Sequence, residues 1–247
     1  MNRLFKKESG SATITALIVV SISTLIISGL MWRQEVQVRQ LEHRRLQQQA
    51  VWIERSAIDL ARVVLREDLR NSGAVDFIGE PWSLPLAQSR VADFFKSTDL
   101  PYEIENMTIR GQLIDAQSRF NLRNLLSNDG QQLNSVGILI YSRLLNVLGL
   151  DSQLANPTAL FLLKNGLAFN HPEQLRGVTG YSDKSIQLLS QYVVTLPQVT
   201  PINLNTASRE VLMAISPSIS REDAEKITLA RVMQPFKSSG DFLKLLE

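Results

Sequence analysis

The chain has 247 residues, of which 44% are hydrophobic, and a formal net charge of +2 at pH 7. This length accommodates one or two domains with a packed core. The sequence contains no cysteine, which excludes disulfide bonds and thiolate metal sites. Its basic residues are scattered, so the chain lacks the concentrated basic face that binding to nucleic acid through charge requires.

A long uncharged segment begins close to the N-terminus. It runs from Ser9 to Trp32 and follows a short leader with three basic residues, Arg3, Lys6 and Lys7. A membrane-spanning helix needs about 20 mostly apolar residues, so the segment is long enough to cross a membrane. Positive charge before the segment favours a cytoplasmic N-terminus, which places the rest of the chain outside the cytoplasm.

The small-residue junction Gly10-Ser11-Ala12 lies before the apolar segment. A secretory signal peptide has its cleavage site after the apolar core instead. The order found here resembles the prepilin family, in which a membrane peptidase cuts after a glycine and methylates the new terminal amine. The resemblance implies a leader of residues 1–10, cleavage between Gly10 and Ser11, and an N-methylated Ser11. An uncleaved signal anchor is the alternative.

The fifth residue after this junction is Thr15. Most prepilin-like proteins carry glutamate there. The difference narrows the resemblance to minor pseudopilin K of type II secretion systems, the general secretion pathway protein K family, whose members typically lack this glutamate. The leader holds three basic residues and Glu8, so a chain cut after Gly10 is close to neutral.

A helical pattern continues beyond the membrane segment. Apolar residues recur at steps of three and four, and no proline or glycine occurs between Gly29 and the turn-forming Asn71-Ser72-Gly73. We expect one helix of about sixty residues, with residues 11–32 in the membrane and the remainder forming a pilin-like stem. Two helices that bend at the membrane face are the alternative. The apolar positions after the membrane segment are Leu46, Ala50, Ile53, Ala57, Leu60, Ala61, Val64 and Leu65.

The resemblance also implies contacts between this helix and other pseudopilins. These contacts would run along residues 39–66 and through the membrane segment. The residues expected to take part are Thr15, Arg39, Leu46, Ile53 and Arg62.

Residues 76–124 show a different pattern. The segment Glu80-Pro81-Trp82-Ser83-Leu84-Pro85 is rich in turn formers and is predicted not to be helical. Short alternating stretches predict strands, which fit the small antiparallel sheet that the resemblance implies. Stem and sheet together make a predicted domain of residues 33–125. The residues assigned to strands are Tyr102, Ile104, Thr108 and Leu113, in a region bounded by Pro101 and Gly111.

The run Leu113–Leu125 contains the pattern D-x-Q-x-R-F-N-L. It resembles a motif of the pseudopilin K family, with Arg123 where a second asparagine is usual. Its polar residues Asp115, Gln117 and Asn121 are predicted to hydrogen-bond turn backbone where the sheet meets the helical domain. A catalytic role for Asp115 lacks support, because no histidine or lysine is near it in the sequence.

The remainder, residues 126–247, is predicted to be a helical domain, with helices from Gln131 to the end. One apolar stripe ends at Gly149. A second helix is expected from Asp151 to Lys164, with Asn165-Gly166 as its C-terminal cap. Two further residues suit helix N-termini, Pro172 and Ser182.

The last fifty residues resemble the helix-hairpin-helix module, a SAM-like unit. The match begins at Ile202-Asn203-Leu204-Asn205-Thr206-Ala207, continues with Ser220 and Asp223 at a helix start, and ends with P-F-x-S-x-x-D-F-L. Residues 175–192 are a weaker copy. DNA-binding modules offer backbone amides from a glycine-rich hairpin to phosphate, whereas the turn here is Ser216-Pro217-Ser218-Ile219. We therefore expect the module to be structural.

No cofactor and no enzymatic activity are predicted. The two histidines, His43 and His171, have no partner at metal-ligand spacing, and no nucleotide-binding or nucleophile motif occurs. Four acids offer oxygen atoms that calcium could use, although a solvated surface is the favoured interpretation. They are Asp68, Asp76, Asp99 and Glu103.

Together these features predict an α+β fold, in which a pilin-like N-terminal helix packs on a small antiparallel sheet and a large all-helical domain is inserted. The resemblance implies a minor pseudopilin at the tip of a periplasmic pseudopilus, which starts its assembly and limits its length. It implies as partners the minor pseudopilins of types I and J, the major pseudopilin, prepilin peptidase and the inner membrane, and no nucleic acid. A membrane-anchored DNA-handling protein of the competence type is the alternative.

Overall fold

The structure is a computed structural model that describes residues 9–71, 73, 75–84, 86–90 and 108–244. The chain divides into two compact units, Met1–Val63 and Val64–Glu247. It is mostly helical, with one long N-terminal helix and a small amount of β-structure. The expected combination of helix and a small sheet is therefore confirmed.

The N-terminal helix, α1, runs without interruption from Ser9 to Asn71 and has 63 residues. It matches the predicted single helix and does not break at the expected membrane face. It is long and apolar enough to cross a membrane. Within the uncharged segment the hydroxyls of Ser23 and Thr24 donate to carbonyl oxygens one turn earlier, at 2.7 and 2.8 Å. Both hydroxyl groups are therefore hydrogen-bonded within the helix, as polar groups in the hydrocarbon region of a membrane must be.

A turn of 3-10 helix, Pro81–Ser83, corrects the prediction that this segment contains no helix. Proline is compatible with the first helical position because its fixed φ suits a helix and its missing N–H needs no partner there. The turn is stabilised locally, since the backbone N–H and the hydroxyl of Ser83 both donate to the carbonyl oxygen of Glu80. Trp82 is buried.

The predicted antiparallel sheet is present as two strands, β1 (Leu86–Arg90) and β2 (Thr108–Gly111). Thr108 lies in β2 as expected, whereas Leu113 lies beyond its end. The sequence did not identify β1, because its residues show no clear alternation. The other predicted strand positions, Tyr102 and Ile104, fall outside the described residues, and so does Pro101.

The C-terminal part of the chain contains six α-helices within its described residues. Hydrogen-bonding side chains cap most of them, including the predicted caps Ser182 and Ser220. Gly166 ends one helix at a positive φ of 54°, as the Asn165-Gly166 pair predicted. Pro172 opens a 3-10 helix, Pro172–Gly177, rather than an α-helix. The helices are α2 (Ser135–Val147), α3 (Ala155–Asn165), α4 (Asp183–Leu189), α5 (Arg209–Ile215), α6 (Arg221–Met233) and α7 (Ser239–Leu243).

This part is not entirely helical, which corrects a second prediction. Two short strands, β3 (Phe120–Asn121) and β4 (Val193–Val194), pair in parallel. The N–H of Phe120 donates to the carbonyl oxygen of Tyr192 at 2.8 Å. The pairing joins the end of the D-x-Q-x-R-F-N-L motif to residues more than seventy positions later, a contact that local patterns do not encode.

Within the described residues, one hydrophobic core extends from Phe120 to Phe242. Phe120 stacks on Tyr141 with ring centroids 5.5 Å apart. The last fifty residues contribute eight side chains to the same core, so this segment folds together with the preceding helices. These eight are Ala207, Val211, Leu212, Ala214, Ile219, Ala224, Ile227 and Phe242.

Candidate functional site

The predicted processing and membrane residues lie in the first part of α1. The backbone at Gly10 and Ser11 is helical, and Thr15 follows in the same helix with an exposed side chain. Leader residues 1–8 are outside the described part of the chain. Cleavage and methylation therefore stay predictions.

The predicted partner-binding residues beyond the membrane segment lie along the surface of α1. Leu46 is 53% exposed and Ile53 is half-buried. Arg39 donates to Glu35 at 2.6 Å, and Arg62 donates to Asp59 at 2.8 Å. All four charged side chains are exposed, so these ion pairs contribute little to stability. The helix consequently presents both apolar side chains and charges that a partner can use.

Asp115 connects two motifs that the sequence analysis treated separately. Its Oδ1 accepts from the backbone N–H of Gln117 at 2.8 Å, which is the predicted turn interaction. Its Oδ2 accepts from Asn203 Nδ2 at 2.9 Å and from Thr206 Oγ1 at 2.5 Å. Three donors therefore hold one carboxylate, and two of them come from the I-N-L-N-T-A segment. This arrangement supports a structural role for Asp115.

The asparagines of the first motif hold a second distant segment. Asn121 Oδ1 accepts from the N–H groups of Arg123 and Leu196, and its Nδ2 donates to the carbonyl oxygen of Gln198 at 2.7 Å. Asn124 makes two bonds to the backbone of Thr200. Asn124, which follows the unusual Arg123, therefore holds the backbone of Thr200 with both the oxygen and the nitrogen of its side-chain amide.

Arg123 has a separate, buried position. Its guanidinium donates to the carbonyl oxygen of Gly166 at 3.2 Å. The side chain is buried, which arginine tolerates only when hydrogen-bonded. The departure from the family motif at this position therefore adds a bond to the turn after α3.

The I-N-L-N-T-A segment is also attached to the end of the chain. Asn205 accepts from the N–H of Phe236 at 2.9 Å and donates to its carbonyl oxygen at 3.0 Å. The buried Arg231 donates to the carbonyl oxygens of Leu204 and Ala207 at 2.8 and 2.6 Å. Burial lowers the pKa of Arg231. Asn205 and Arg231 therefore hold together the backbone of this segment and that of Phe236.

In a DNA-binding helix-hairpin-helix module, the turn that corresponds to the one between α5 and α6 contacts phosphate. The N–H of Ile219 donates to the Ser216 carbonyl oxygen at 3.2 Å, and the N–H of Ser220 donates to the Asp223 carboxylate at 3.1 Å. These amides are occupied, and Asp223 places a negative charge at the start of α6. Hydrogen bonds from Ser220 lower the pKa of Asp223, so it is ionised at neutral pH. This turn is a poor phosphate site.

Three acids come together at the C-terminal end of α1. The carboxylate oxygens of Asp68, Asp76 and Glu80 lie within 4.8 Å of one another. Asp68 and Asp76 are two of the acids considered for calcium, whereas Asp99 and Glu103 fall outside the described residues. Glu80 was missed because it was assigned to a turn. Burial, followed by the nearby charge of Asp115 and then of the other two acids, raises the pKa of Asp76.

These observations define a class of protein: a chain with one long, apolar N-terminal helix suited to a membrane and a C-terminal unit whose polar motifs hold structure together. Residues 202–247 match the family model of type II secretion system protein K. Type II secretion system protein K of Pseudomonas aeruginosa is 28% identical over an alignment 272 residues long. The alignment covers 97% of this chain and 77% of that protein. The protein of the same name from Aeromonas hydrophila is 22% identical over 273 residues, covering 94% of this chain and 78% of its own length.

The matches confirm the resemblance seen in the sequence: over nearly its whole length, this chain is similar to type II secretion system proteins K. The family name describes a component of a protein secretion system. The part of the chain that matches the family model contains Asn203, Thr206 and Asn205, which bind Asp115 and Phe236.

Proposed function

We propose that the protein is a minor pseudopilin that forms the tip of a type II secretion pseudopilus, starts its assembly and limits its length. The observation that carries this proposal is the alignment with secretion proteins K over nearly the whole chain, from the apolar helix to the C-terminal module. In this proposal α1 and the β1–β2 pair form the pilin-like part, and residues 126–247 form the inserted helical domain.

The proposed processing follows from the position of Gly10. Prepilin peptidase would cut between Gly10 and Ser11 and methylate the amine of Ser11. The protein would then be a single-pass inner-membrane protein with its C-terminal domain in the periplasm, in agreement with the basic leader.

The tip position is supported by Thr15. In prepilin-like proteins a glutamate at this position is thought to neutralise the terminal amine of a neighbouring subunit within the apolar helix bundle. An unpaired charge in hydrocarbon costs a few kcal/mol. A subunit with threonine there needs no amine above it, and a bulky helical domain would block further subunits. Both features suit the end of a filament.

The proposed partners are the minor pseudopilins of types I and J and the major pseudopilin. Contacts would run along α1, where exposed apolar residues such as Leu46 and Trp52 lie beside charged ones. Exposed apolar side chains along one helix are typical of a surface that meets another helix.

A DNA-handling role is the alternative function. The occupied amides of the α5–α6 turn and the Arg209–Glu225 ion pair, at 3.1 Å, give that surface few groups for phosphate. A gel-shift measurement with the purified chain at low salt tests it, and a salt-dependent shift would favour this alternative.

The function is tested by replacing the chromosomal copy with Thr15→Glu and, as the matched control, Thr15→Ala. A carboxylate without an amine above it should disfavour the tip position, so we expect Thr15→Glu to reduce secretion and pseudopilus formation while Thr15→Ala secretes normally. Normal secretion with Thr15→Glu, and its incorporation along the filament, would contradict the tip assignment.

A further inference from the structure

The end of α6 carries an apolar stripe that points away from the core. Leu229, Val232 and Met233 stand three and four residues apart, so their side chains lie on one face of the helix. They are 70%, 67% and 87% exposed, whereas Ala224 and Ile227 of the same helix are buried in the core. Single exposed apolar residues need no explanation, but a continuous stripe of them indicates an interaction surface.

The stripe continues into a groove between α6 and α7. The groove has a volume of about 510 Å³, which lies in the range of about 300–1,000 Å³ that is usual for binding pockets. Its apolar lining comes from Ala230, Met233, Pro235 and Phe236. Because Met233 belongs to both the stripe and the groove, the two form one continuous surface.

The groove is held in shape by contacts within the C-terminal module. Phe236 packs edge-on against the buried Phe242, with ring centroids 5.8 Å apart. Asn205 accepts from the N–H of Phe236 and donates to its carbonyl oxygen. A partner therefore meets a preformed groove, which reduces the conformational entropy lost on binding.

Positive charge prevails around the groove within the described residues. Lys237 and Lys244 line it with exposed side chains, and neither forms an ion pair with another described residue. Asp241 also lines it, but its Oδ2 accepts from two backbone N–H groups just before α7, each at 3.1 Å. The buried Arg231, near the end of α6, donates to carbonyl oxygens. This balance of charge favours an acidic partner.

We propose that the stripe and the groove together bind an amphipathic, acidic segment of another protein. A large apolar side chain of that segment enters the groove, and its carboxylates lie beside Lys237 and Lys244. Burial of the apolar side chain provides affinity, while the charges fix the orientation of the segment. The proposal concerns the C-terminal module and does not depend on the position of the chain in a pseudopilus.

A protein segment suits this surface better than an anionic membrane does. Glu222 and Glu225 lie on the same face of α6 as Leu229, two turns and one turn earlier, and both are exposed. These acids would repel a flat anionic lipid surface that lies along the face. A protein segment can place its acids next to the lysines and an apolar side chain in the groove, away from the two glutamates.

Photo-cross-linking in living cells tests the proposal. The full-length chain carries p-benzoylphenylalanine in place of Met233, and the cross-linked peptide is mapped by mass spectrometry. We expect a segment of another protein with a large apolar residue and acids within about two helical turns of it. Lys237→Glu combined with Lys244→Glu should reduce this product at least about fivefold. The matched control, Lys184→Glu at an exposed lysine of α4, should leave it unchanged.

A charge exchange completes the test. Replacing the acids of the mapped segment by lysine should weaken its cross-linking to the wild-type chain and restore it to the chain with both glutamates. Lys237 and Lys244 are exposed, so these variants should melt as the wild type does. The proposal would be overturned by a product no stronger than that from p-benzoylphenylalanine at position 184, by cross-links to lipid or to a second copy of this chain, or by a protein product that both charge changes leave unaltered.

Discussion

At the scale of single residues, the structure shows polar side chains that connect distant parts of the chain. Asp115 accepts hydrogen bonds from Gln117, Asn203 and Thr206, and Asn121 and Asn124 bind residues 196–200. The sequence predicted that Asp115 and Asn121 hold turns, because aspartate and asparagine commonly bond to backbone two residues later. It did not pair them with their distant partners, since such contacts depend on the packing of the whole helical part.

The bond between Thr206 and Asp115 can be removed with almost no change in shape by Thr206→Val. A hydrogen bond to a charged group contributes about 1.5–3 kcal/mol, so we expect a loss of unfolding free energy of that order. Chemical denaturation followed by circular dichroism measures it.

Thr228→Val is the matched control, because among the described residues the Thr228 hydroxyl bonds within its own helix, to the carbonyl oxygen of Ala224 at 2.7 Å. This bond should matter much less. Equal effects of the two valines would show that the contact with Asp115 has no special importance.

Processing also depends on one residue. Gly10→Asp places a bulky charge at the predicted cleavage site, so the leader should remain attached when the chain is expressed with prepilin peptidase. Gly10→Ala keeps a small residue and should still be cleaved at a substantial rate. Intact mass spectrometry distinguishes the two products. Normal cleavage of Gly10→Asp would refute the proposed processing.

At the scale of elements, hydrophobic periodicity and capping residues predicted the helices well. The 63-residue α1 and the caps Ser182 and Ser220 were identified because their signals are local. Two of the predictions that were wrong have clear physical reasons. Proline at the first position allowed a 3-10 turn at Pro81–Ser83, and pairing with Phe120–Asn121 converted Val193–Val194 into a strand. The cluster of Asp68, Asp76 and Glu80 was recognised only in part, because Glu80 lies directly before that unexpected turn.

The C-terminal module should be indispensable for folding. Truncation before Ile202 removes eight side chains from the single core. Burial of one large aliphatic or aromatic side chain stabilises by about 1.5–3 kcal/mol, so the loss approaches the total stability of a typical domain. We expect the truncated chain to show no cooperative thermal transition from the Val64–Glu247 unit.

The exposed Leu229, in the same segment, provides a control for changes that do not reach the core. It is 70% exposed, so Leu229→Ser should change the melting temperature little. A truncated chain with a melting transition like that of the full chain would mean that residues 202–247 are an independent appendage.

At the scale of the whole molecule, the chain combines a helix suited to a membrane with a C-terminal unit stabilised by its own core and by a polar network. Within the described residues, these polar motifs bind backbone and one another, as the contacts of Asp115, Asn205 and Arg231 show. Such an arrangement suits a protein that acts by assembling with others. The similarity to type II secretion system proteins K is the basis for the proposal that this assembly takes place in a secretion system.

The most direct test of this account is co-purification of the full-length chain with the minor pseudopilins of types I and J from membranes of cells that also contain prepilin peptidase. An unrelated single-pass protein with the same tag is the control. The account predicts that the three pseudopilins elute together and that the control retains none of them. Association of types I and J with each other but not with this chain would contradict it.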